Sequence, residues 1–244
     1  MNLVLVEPSE LVDGRVVLRD ADRRVHHLRT VLKVQIGSRV RAGVVGGAIG
    51  TGEVIDLETG DGIVLAMTLG DPAPQPLPIE LVLAMPRPKV LTRVIEAAAS
   101  FGVARIALTN AWRVDKSYLD SPRLEPAVLA HAARLGAEQG ATTHVPPITI
   151  HPRLMPLLDE RWPAPGPGQR LLAHPGAPPI EGVVTAGAPI TLAIGPEGGW
   201  IQREVDTFIE RGFAPVSLGT AILRVETAVA AALGQLVLIE RLRR

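Results

Sequence analysis

A proline-rich segment divides this chain into two parts with different patterns of apolar residues. Residues 71–78 read Asp-Pro-Ala-Pro-Gln-Pro-Leu-Pro, with a proline at every second position. Proline lacks a backbone N–H and fixes φ, so such a run supports neither a helix nor a strand ladder and is typical of a semi-rigid linker. We therefore predict a first domain over residues 1–70, a linker over 71–78 and a second domain over 79–244.

The first part is β-rich. Its short apolar runs are Val16–Leu18, Arg39–Val45 and Ile63–Leu69. Turn signals such as Asp13-Gly14 and Gly46-Gly47 separate them, and this spacing is typical of a small barrel. One helix is expected near Ala21–Leu32.

The second part alternates strands and helices, which predicts an α/β fold with a parallel sheet. The expected strands are Ile79–Ala84, Arg105–Leu108, Arg170–Ala173, Ile190–Ile194 and Pro215–Leu218. The expected helices are one that ends at Gly102, Leu124–Gln139, one with Ile201, Val205, Phe208 and Ile209 on a single face, and Glu226–Leu242.

Charge and composition exclude several classes of protein. The chain has 25 basic and 25 acidic residues, so any nucleic-acid contact needs a local basic patch rather than a global field. Residues 14–41 supply such a patch, with Arg15, Arg19, Arg23, Arg24, Arg29, Lys33, Arg39 and Arg41 against Asp20 and Asp22. The absence of cysteine excludes disulfides, zinc ribbons and thiol catalysis. With neither a signal peptide nor an apolar run of about 18 residues, we expect a cytoplasmic protein without membrane contact.

Three stretches with chemical potential fall where strands should end. They are Leu171-Leu172-Ala173-His174-Pro175, the string IGPEGGW at 194–200 and the string LGTAILRVETA at 218–228. Ligands of open parallel sheets bind beyond the carboxyl ends of the strands. From the residues alone, the glycines of the second stretch permit close approach of a flat ligand or simply make a tight strand–helix turn. In the third stretch Glu226 and Thr227 could equally be ordinary residues of a helix start.

The two glycine strings together resemble the paired signature of the RsmE-type SPOUT methyltransferases. IGPEGG is followed about twenty residues later by LG-x-x-I-L-R-x-E-T-A and preceded by His174-Pro175. The segment His27–Lys33 is similar to the family's H-L-x-x-V-L-R element, with Lys33 in place of the usual arginine. The chain departs from the family pattern at Ala97, Ser100 and Gly140–Thr142, positions expected to serve substrate or subunit contacts.

The resemblance implies a fold, a cofactor and a substrate. The fold is a PUA-like β-barrel joined to an α/β SPOUT domain with a deep trefoil knot, working as a homodimer. The cofactor is S-adenosylmethionine, and the substrate is N3 of a uridine in small-subunit (16S) ribosomal RNA. The implied cofactor-binding residues are Leu172, His174, Pro175, Ile194, Gly195, Pro196, Gly198, Gly199, Leu218, Gly219, Ile222 and Leu223.

Transfer of a methyl group to uridine N3 requires loss of the N3 proton, so it calls for a general base or a cation near the uracil ring. Arg224 is the candidate cation, and Glu226 and Glu197 are the candidate carboxylates. Candidate RNA-binding residues are Arg23, Arg24, His27, Arg29, Lys33, Arg113 and Lys116. No metal is expected, since the adjacent His26 and His27 point to different faces of a helix. Alternatives are a methyltransferase acting on another RNA position or a ribose hydroxyl, and a non-catalytic RNA-binding assembly factor.

Overall fold

The structure, a computed structural model, describes residues 1–57 and 62–243. The chain forms two compact units. The first comprises Met1–Pro76 together with Ala137–Val145, and the second comprises Leu77–Gly136 and the residues from Pro146 onward. Residues 72–76 of the proline-rich segment connect the last strand of the first unit, which ends at Asp71, to the first strand of the second.

The described residues of the first unit form a curled mixed sheet that packs with the helix α1 (Arg23–Thr30). Its elements are β1 (Val4–Val6), β2 (Arg15–Leu18), α1 (Arg23–Thr30), β3 (Arg39–Val44), β4 (Ile49–Asp56) and β5 (Ile63–Asp71). Within the described residues the strand order is β1-β3-β4-β5-β2, and every pair is antiparallel except β1 with β3. Two register shifts between β4 and β5 bend these strands, and alternate residues such as Val16 and Leu18 fill the core on one side.

The second unit is a parallel sheet with helical crossovers, which confirms the predicted α/β class. Its strands are β6 (Leu77–Ala84), β7 (Val103–Thr109), β8 (Ile148–His151), β9 (Gln169–Ala173), β10 (Ile190–Ile194) and β11 (Phe213–Val216). Its helices are α2 (Pro88–Phe101), α4 (Leu154–Arg161), α5 (Ile180–Val183), α6 (Gln202–Glu210), α7 (Val225–Leu242) and most of α3 (Pro126–Gly140), whose last four residues belong to the first unit. In the described part of the chain the strand order is β11-β9-β10-β6-β7-β8, and all neighbours are parallel.

The strand order brings three carboxyl ends together. Residues 192–194 of β10 are buried, as expected for an apolar strand covered on both faces. Because β11, β9 and β10 are consecutive neighbours and run parallel, the loops that follow them emerge side by side at one edge of the sheet. No helix among the described residues is long and apolar enough to cross a lipid bilayer.

Some local predictions are confirmed and others are corrected. Gly102 ends α2 in a left-handed conformation with φ of +76°, as expected of a helix C-cap. Ile209, which is predicted to share one face of α6 with Val205 and Phe208, is 47% exposed because it lies near the helix end. The last strand, β11, begins and ends two residues earlier than the sequence predicts.

Candidate active site

A cavity of about 380 Å³ lies beyond the carboxyl ends of β9, β10 and β11. Its walls come from the three loops that follow these strands, together with Arg113 from the loop after β7 and two residues at the start of α7. A concave, mainly apolar cavity of this size with several backbone polar groups is typical of a small-molecule site.

The loop after β9 forms one wall through Ala173, His174 and Pro175. The backbone N–H of His174 donates to the carbonyl of Val216 at 2.9 Å, which extends the β9–β11 pairing by one residue. Farther along, Pro179 pairs with Ser217 in an isolated parallel bridge. The loops after β9 and β11 are therefore held together by backbone hydrogen bonds.

The loop after β10 contributes every residue from Ile194 to Trp200 to the cavity wall. Gly199 has φ of +70°, and its N–H donates to the carbonyl of Pro196 at 2.8 Å, which closes a tight turn. A Cβ at Gly195 would lie 3.1 Å from Nε1 of Trp200, so a larger residue would displace the indole. Trp200 is itself buried and packs edge-on against Phe208, with ring centroids 5.0 Å apart.

The loop after β11 presents an unusually open stretch of backbone. In the described structure, none of the backbone N–H groups from Leu218 to Arg224 donates a hydrogen bond to the protein. Gly219 has φ of +143°, a conformation that L side chains rarely adopt. The carbonyl of Leu218 accepts a hydrogen bond from Nε2 of Gln235 on α7 at 2.9 Å. The backbone N–H groups of this loop are therefore available to a ligand, while the carbonyl of Leu218 is held by the side chain of Gln235.

Glu197 lies at the tip of the glycine turn and lines the cavity. Its Oε1 accepts a hydrogen bond at 2.9 Å from the backbone N–H of Arg87, the residue that caps the N-terminus of α2. A carboxylate is favoured there by the helix dipole. Its Oε2 makes no hydrogen bond with the described residues and stays available as an acceptor.

Two contacts connect the loop after β7 to the β10–α6 segment. Nη1 of Arg113 donates to the carbonyl of Gly198 at 2.5 Å. In the same direction, the backbone N–H of Trp112 donates to Oε1 of the buried Glu204 of α6 at 2.8 Å, and Oε2 of Glu204 accepts the backbone N–H of Ile201 at 3.0 Å. The Arg113 side chain is thereby fixed as part of the cavity wall.

The structure brings most of the predicted cofactor-binding residues to one cavity. All of them line it except Leu172, which lies in β9 and is fully buried. Among the proposed catalytic residues, Glu197 lines the cavity; Arg224 and Glu226 do not, although Val225 between them does. Arg224 caps the N-terminus of α7, and its exposed side chain has no ion pair or hydrogen bond with the described residues. The cavity is also lined by residues of the three predicted stretches that were not among the implied cofactor-binding residues, namely Ala173, Trp200, Ala221, Val225 and Ala228.

Arg24 is buried in the first unit rather than presented on its surface. Its guanidinium contacts the carboxylates of Glu10 and Asp22 at 2.5 Å each and donates to the carbonyl of Leu5 at 2.7 Å. Burial alone lowers the pKa of Arg24, but its bonds to Glu10 and Asp22 outweigh burial and raise the pKa. Because these donors are committed inside the protein, we leave Arg24 out of the proposed RNA surface.

The other predicted RNA-binding residues differ in how far they are engaged. Arg23 pairs with the buried Glu138, and Arg29 pairs with Asp20 at 2.6 Å. Burial is the main cause that lowers the pKa of His27 from its ordinary 6.5. Lys33 and Lys116 are exposed and, within the described chain, have no side-chain partner. No cluster of three or more potential metal ligands occurs among the described residues.

Comparisons with known proteins agree on one relationship. The family described as RNA methyltransferase domain matches residues 73–237. A ribosomal RNA small subunit methyltransferase E from Treponema pallidum is 32% identical over 95% of this chain and 89% of its own length.

Two solved structures share the fold. A probable rRNA-methyltransferase from Porphyromonas gingivalis superposes with a TM-score of 0.78 at 21% identity, over 100% of both chains. A ribosomal RNA small subunit methyltransferase E from Neisseria gonorrhoeae, bound to S-adenosyl methionine, superposes with a TM-score of 0.76 at 23% identity, over 98% of both chains.

Proposed function

The chain belongs to the RNA methyltransferase domain family and to the ribosomal RNA small subunit methyltransferase E proteins, and from this premise we propose that it methylates N3 of a uridine in 16S ribosomal RNA. It is an S-adenosylmethionine-dependent rRNA methyltransferase. The observation that carries the proposal is the single cavity formed by the loops after β9, β10 and β11. Such an enzyme works where ribosomes are assembled, so the proposal includes a cytoplasmic location.

The cavity suits S-adenosylmethionine in chemistry and in shape. The unpaired N–H groups of residues 218–224 can serve the polar edges of an adenine and a ribose. The glycine turn at 195–199 keeps Cβ atoms away from a flat ring, and Ile194, Leu218 and Leu223 supply apolar surface. We assign cofactor binding to these loops and to His174 and Pro175.

The proposed chemistry needs little covalent help from the protein. When bound, S-adenosylmethionine supplies an electrophilic methyl group on a sulfonium. The uracil N3–H proton must leave as N3 attacks, so the ring carries developing negative charge. Arg224 has an exposed guanidinium beside the cavity, and this group makes no ion pair or hydrogen bond with the described residues. It is therefore suited to stabilise the negative charge on the uracil ring. Glu226, in the first turn of α7, or Oε2 of Glu197 would accept the proton.

The finer features of the fold belong to the same proposal. We assign the curled five-stranded sheet to a PUA-like barrel whose exposed Arg29 and Lys33, together with Arg23 and His27, contact RNA. We also assign a deep trefoil knot to the C-terminal segment, supported by the Pro179–Ser217 bridge and by the bond from Gln235 of α7 to the loop before it. A homodimer is supported by the exposed Leu238 and Leu242 on α7.

The test is methyl transfer to small ribosomal subunits that lack the modification. The purified protein is incubated with these subunits and labelled S-adenosylmethionine, and the digested rRNA is analysed for 3-methyluridine by mass spectrometry. We expect 3-methyluridine at one position. A methyl group found on a ribose or on another base would refute the assignment of N3.

Arg224→Ala tests the catalytic residue, with Arg203→Ala as its control. Arg203 is an exposed arginine on α6 without a described side-chain partner. Arg224→Ala should lower turnover by at least about a hundredfold, the usual scale for loss of one charge-stabilising group, while S-adenosylmethionine still binds. Turnover of Arg224→Ala equal to that of Arg203→Ala would remove Arg224 from the mechanism.

A further inference from the structure

Trp112 differs from the two other tryptophans of this aromatic-poor chain. Trp162 and Trp200 are buried, at 6% and 5% exposure, and both pack edge-on against phenylalanines. Trp112 is 78% exposed. An exposed apolar side chain by itself is ordinary, but Trp112 is distinguished by the hydrogen bonds that hold its backbone and by its place beside the cavity.

The backbone beneath the exposed indole is fixed on several sides. The N–H of Trp112 donates to the buried carboxylate of Glu204 at 2.8 Å. On one side Ala111 donates its N–H to Oδ1 of Asn110 at 2.9 Å, and on the other Val114 donates its N–H to the carbonyl of Ala111 at 3.0 Å. The side chains of Ala111 and Val114 are each 7% exposed and anchor the loop in the core. The loop therefore holds the Cα of Trp112 in place while the indole stays in solvent.

The fixed loop stands at the rim of the cavity. Arg113, the next residue, lines the cavity and donates to the carbonyl of Gly198 in the glycine turn. Consecutive Cα atoms are about 3.8 Å apart, so the indole begins one residue from the cavity wall. Beyond it, Lys116 is exposed, and Oδ1 of the nearby Asp115 accepts hydrogen bonds from the backbone N–H and the hydroxyl of Ser117. The rim therefore carries one exposed aromatic ring, the cations of Arg113 and Lys116, and the carboxylate of Asp115 between them in sequence.

We propose that Trp112 is a stacking platform for a base of the RNA substrate at the entrance to the methyl-transfer site. The inference rests on the proposed function and extends it to a specific contact. Unstacked bases of single-stranded RNA are recognised by aromatic rings and guanidinium planes, and phosphates are held by basic side chains. An aromatic ring beside Arg113 and Lys116 offers all three contacts. A rigid loop also loses little conformational freedom when the base binds.

The test compares Trp112→Ala with Trp112→Phe. Loss of one stacked base corresponds to about a 5- to 150-fold loss of affinity. At saturating S-adenosylmethionine we expect Trp112→Ala to raise KM for the RNA substrate by about tenfold or more, with Trp112→Phe close to the parent protein. The dissociation constant for S-adenosylmethionine and the thermal stability should not change. An unchanged KM for RNA in Trp112→Ala would overturn the proposal.

A second measurement keeps this inference separate from the identity of the methylated atom. Because the other tryptophans are buried, the indole that acrylamide reaches is that of Trp112, and a uridine-containing oligonucleotide should quench its fluorescence and protect it from acrylamide. This result needs no methyl transfer, whereas a failed proposed function would show as absent methylation by the parent protein. Oligonucleotide that binds without altering the fluorescence would refute stacking. A shift of the sedimentation coefficient in Trp112→Ala would assign the indole to a contact between two copies of the chain and would equally overturn the proposal.

Discussion

Glu204→Ala should both destabilise the second unit and loosen the loop that carries Trp112 at the rim of the cavity. Glu204 is 5% exposed and accepts two backbone hydrogen bonds, from Trp112 at 2.8 Å and from Ile201 at 3.0 Å. An orphaned donor costs about 1–3 kcal/mol, and removal of a buried charge recovers part of its desolvation penalty. We therefore expect a loss of about 2–4 kcal/mol in the free energy of unfolding.

Urea unfolding followed by circular dichroism measures that loss. The control is Glu210→Ala, an exposed glutamate on the same helix, whose effect should stay within about 0.5 kcal/mol. Glu204→Gln retains an acceptor for one of the two backbone N–H groups but turns its amide N–H donors towards the other N–H group. The stability of Glu204→Gln should therefore lie between those of Glu204→Ala and Glu210→Ala. Equal stabilities for Glu204→Ala and Glu210→Ala would mean that the carboxylate does not hold the two loops together.

Four further predictions concern the first unit, its surface and the cavity. Arg24→Ala leaves two half-buried acidic partners and a carbonyl uncompensated, so it should lower stability by about 3 kcal/mol, whereas exposed Arg19→Ala should have little effect. Burial alone raises the pKa of Asp22, but its bonds to Arg24 lower the pKa overall. The ionised Asp22 therefore stabilises the folded state above about pH 4, and this stabilisation is lost as the pH falls through the lowered pKa. A parent protein whose acid unfolding matches that of Asp22→Asn would contradict this prediction. Arg29→Gln with Lys33→Gln should weaken RNA binding and reduce the slope of log K against log salt by about 2, and an unchanged slope would remove both residues from the surface. Gly219→Ala forces a side chain into φ of +143° and should weaken S-adenosylmethionine binding at least tenfold, while Gly182→Ala, where a Cβ meets nothing within 4 Å, should bind normally.

The sequence predicts elements well where one physical signal dominates. The predicted and observed bounds of the strand Ile190–Ile194 are identical, because turn residues on both sides limit a short apolar run to these positions. β11 is an edge strand, which tolerates Pro215, so its start at Phe213 was harder to place than its existence. β4 contains Gly50 and Gly52, and glycines weaken the sequence pattern of a strand. Glycine is required at position 50 because a Cβ there would lie 1.9 Å from the carbonyl oxygen of Thr68.

Some residues of the candidate site are likewise predictable from the sequence, and others are not. The glycine turns and His174 are readable because their residue types are rare together and sit at strand ends. The pairing of Glu204 with Trp112 joins positions 92 residues apart, and no local pattern announces such a contact. Arg24 has the same charge as its neighbours Arg23 and Arg29, so only its burial among Glu10 and Asp22 distinguishes a structural arginine from a surface one. Tertiary contacts of this kind lie outside the reach of composition and spacing.

In the proposed function, the loops at 173–175, 194–200 and 218–223 together hold S-adenosylmethionine. A crystal structure of the protein grown with S-adenosylhomocysteine tests it most directly. We expect density for the nucleoside in the cavity beyond β9, β10 and β11, with backbone N–H groups of residues 218–223 pointing at its polar atoms. Density at another place on the protein, or loops that part to leave no cavity, would contradict the account.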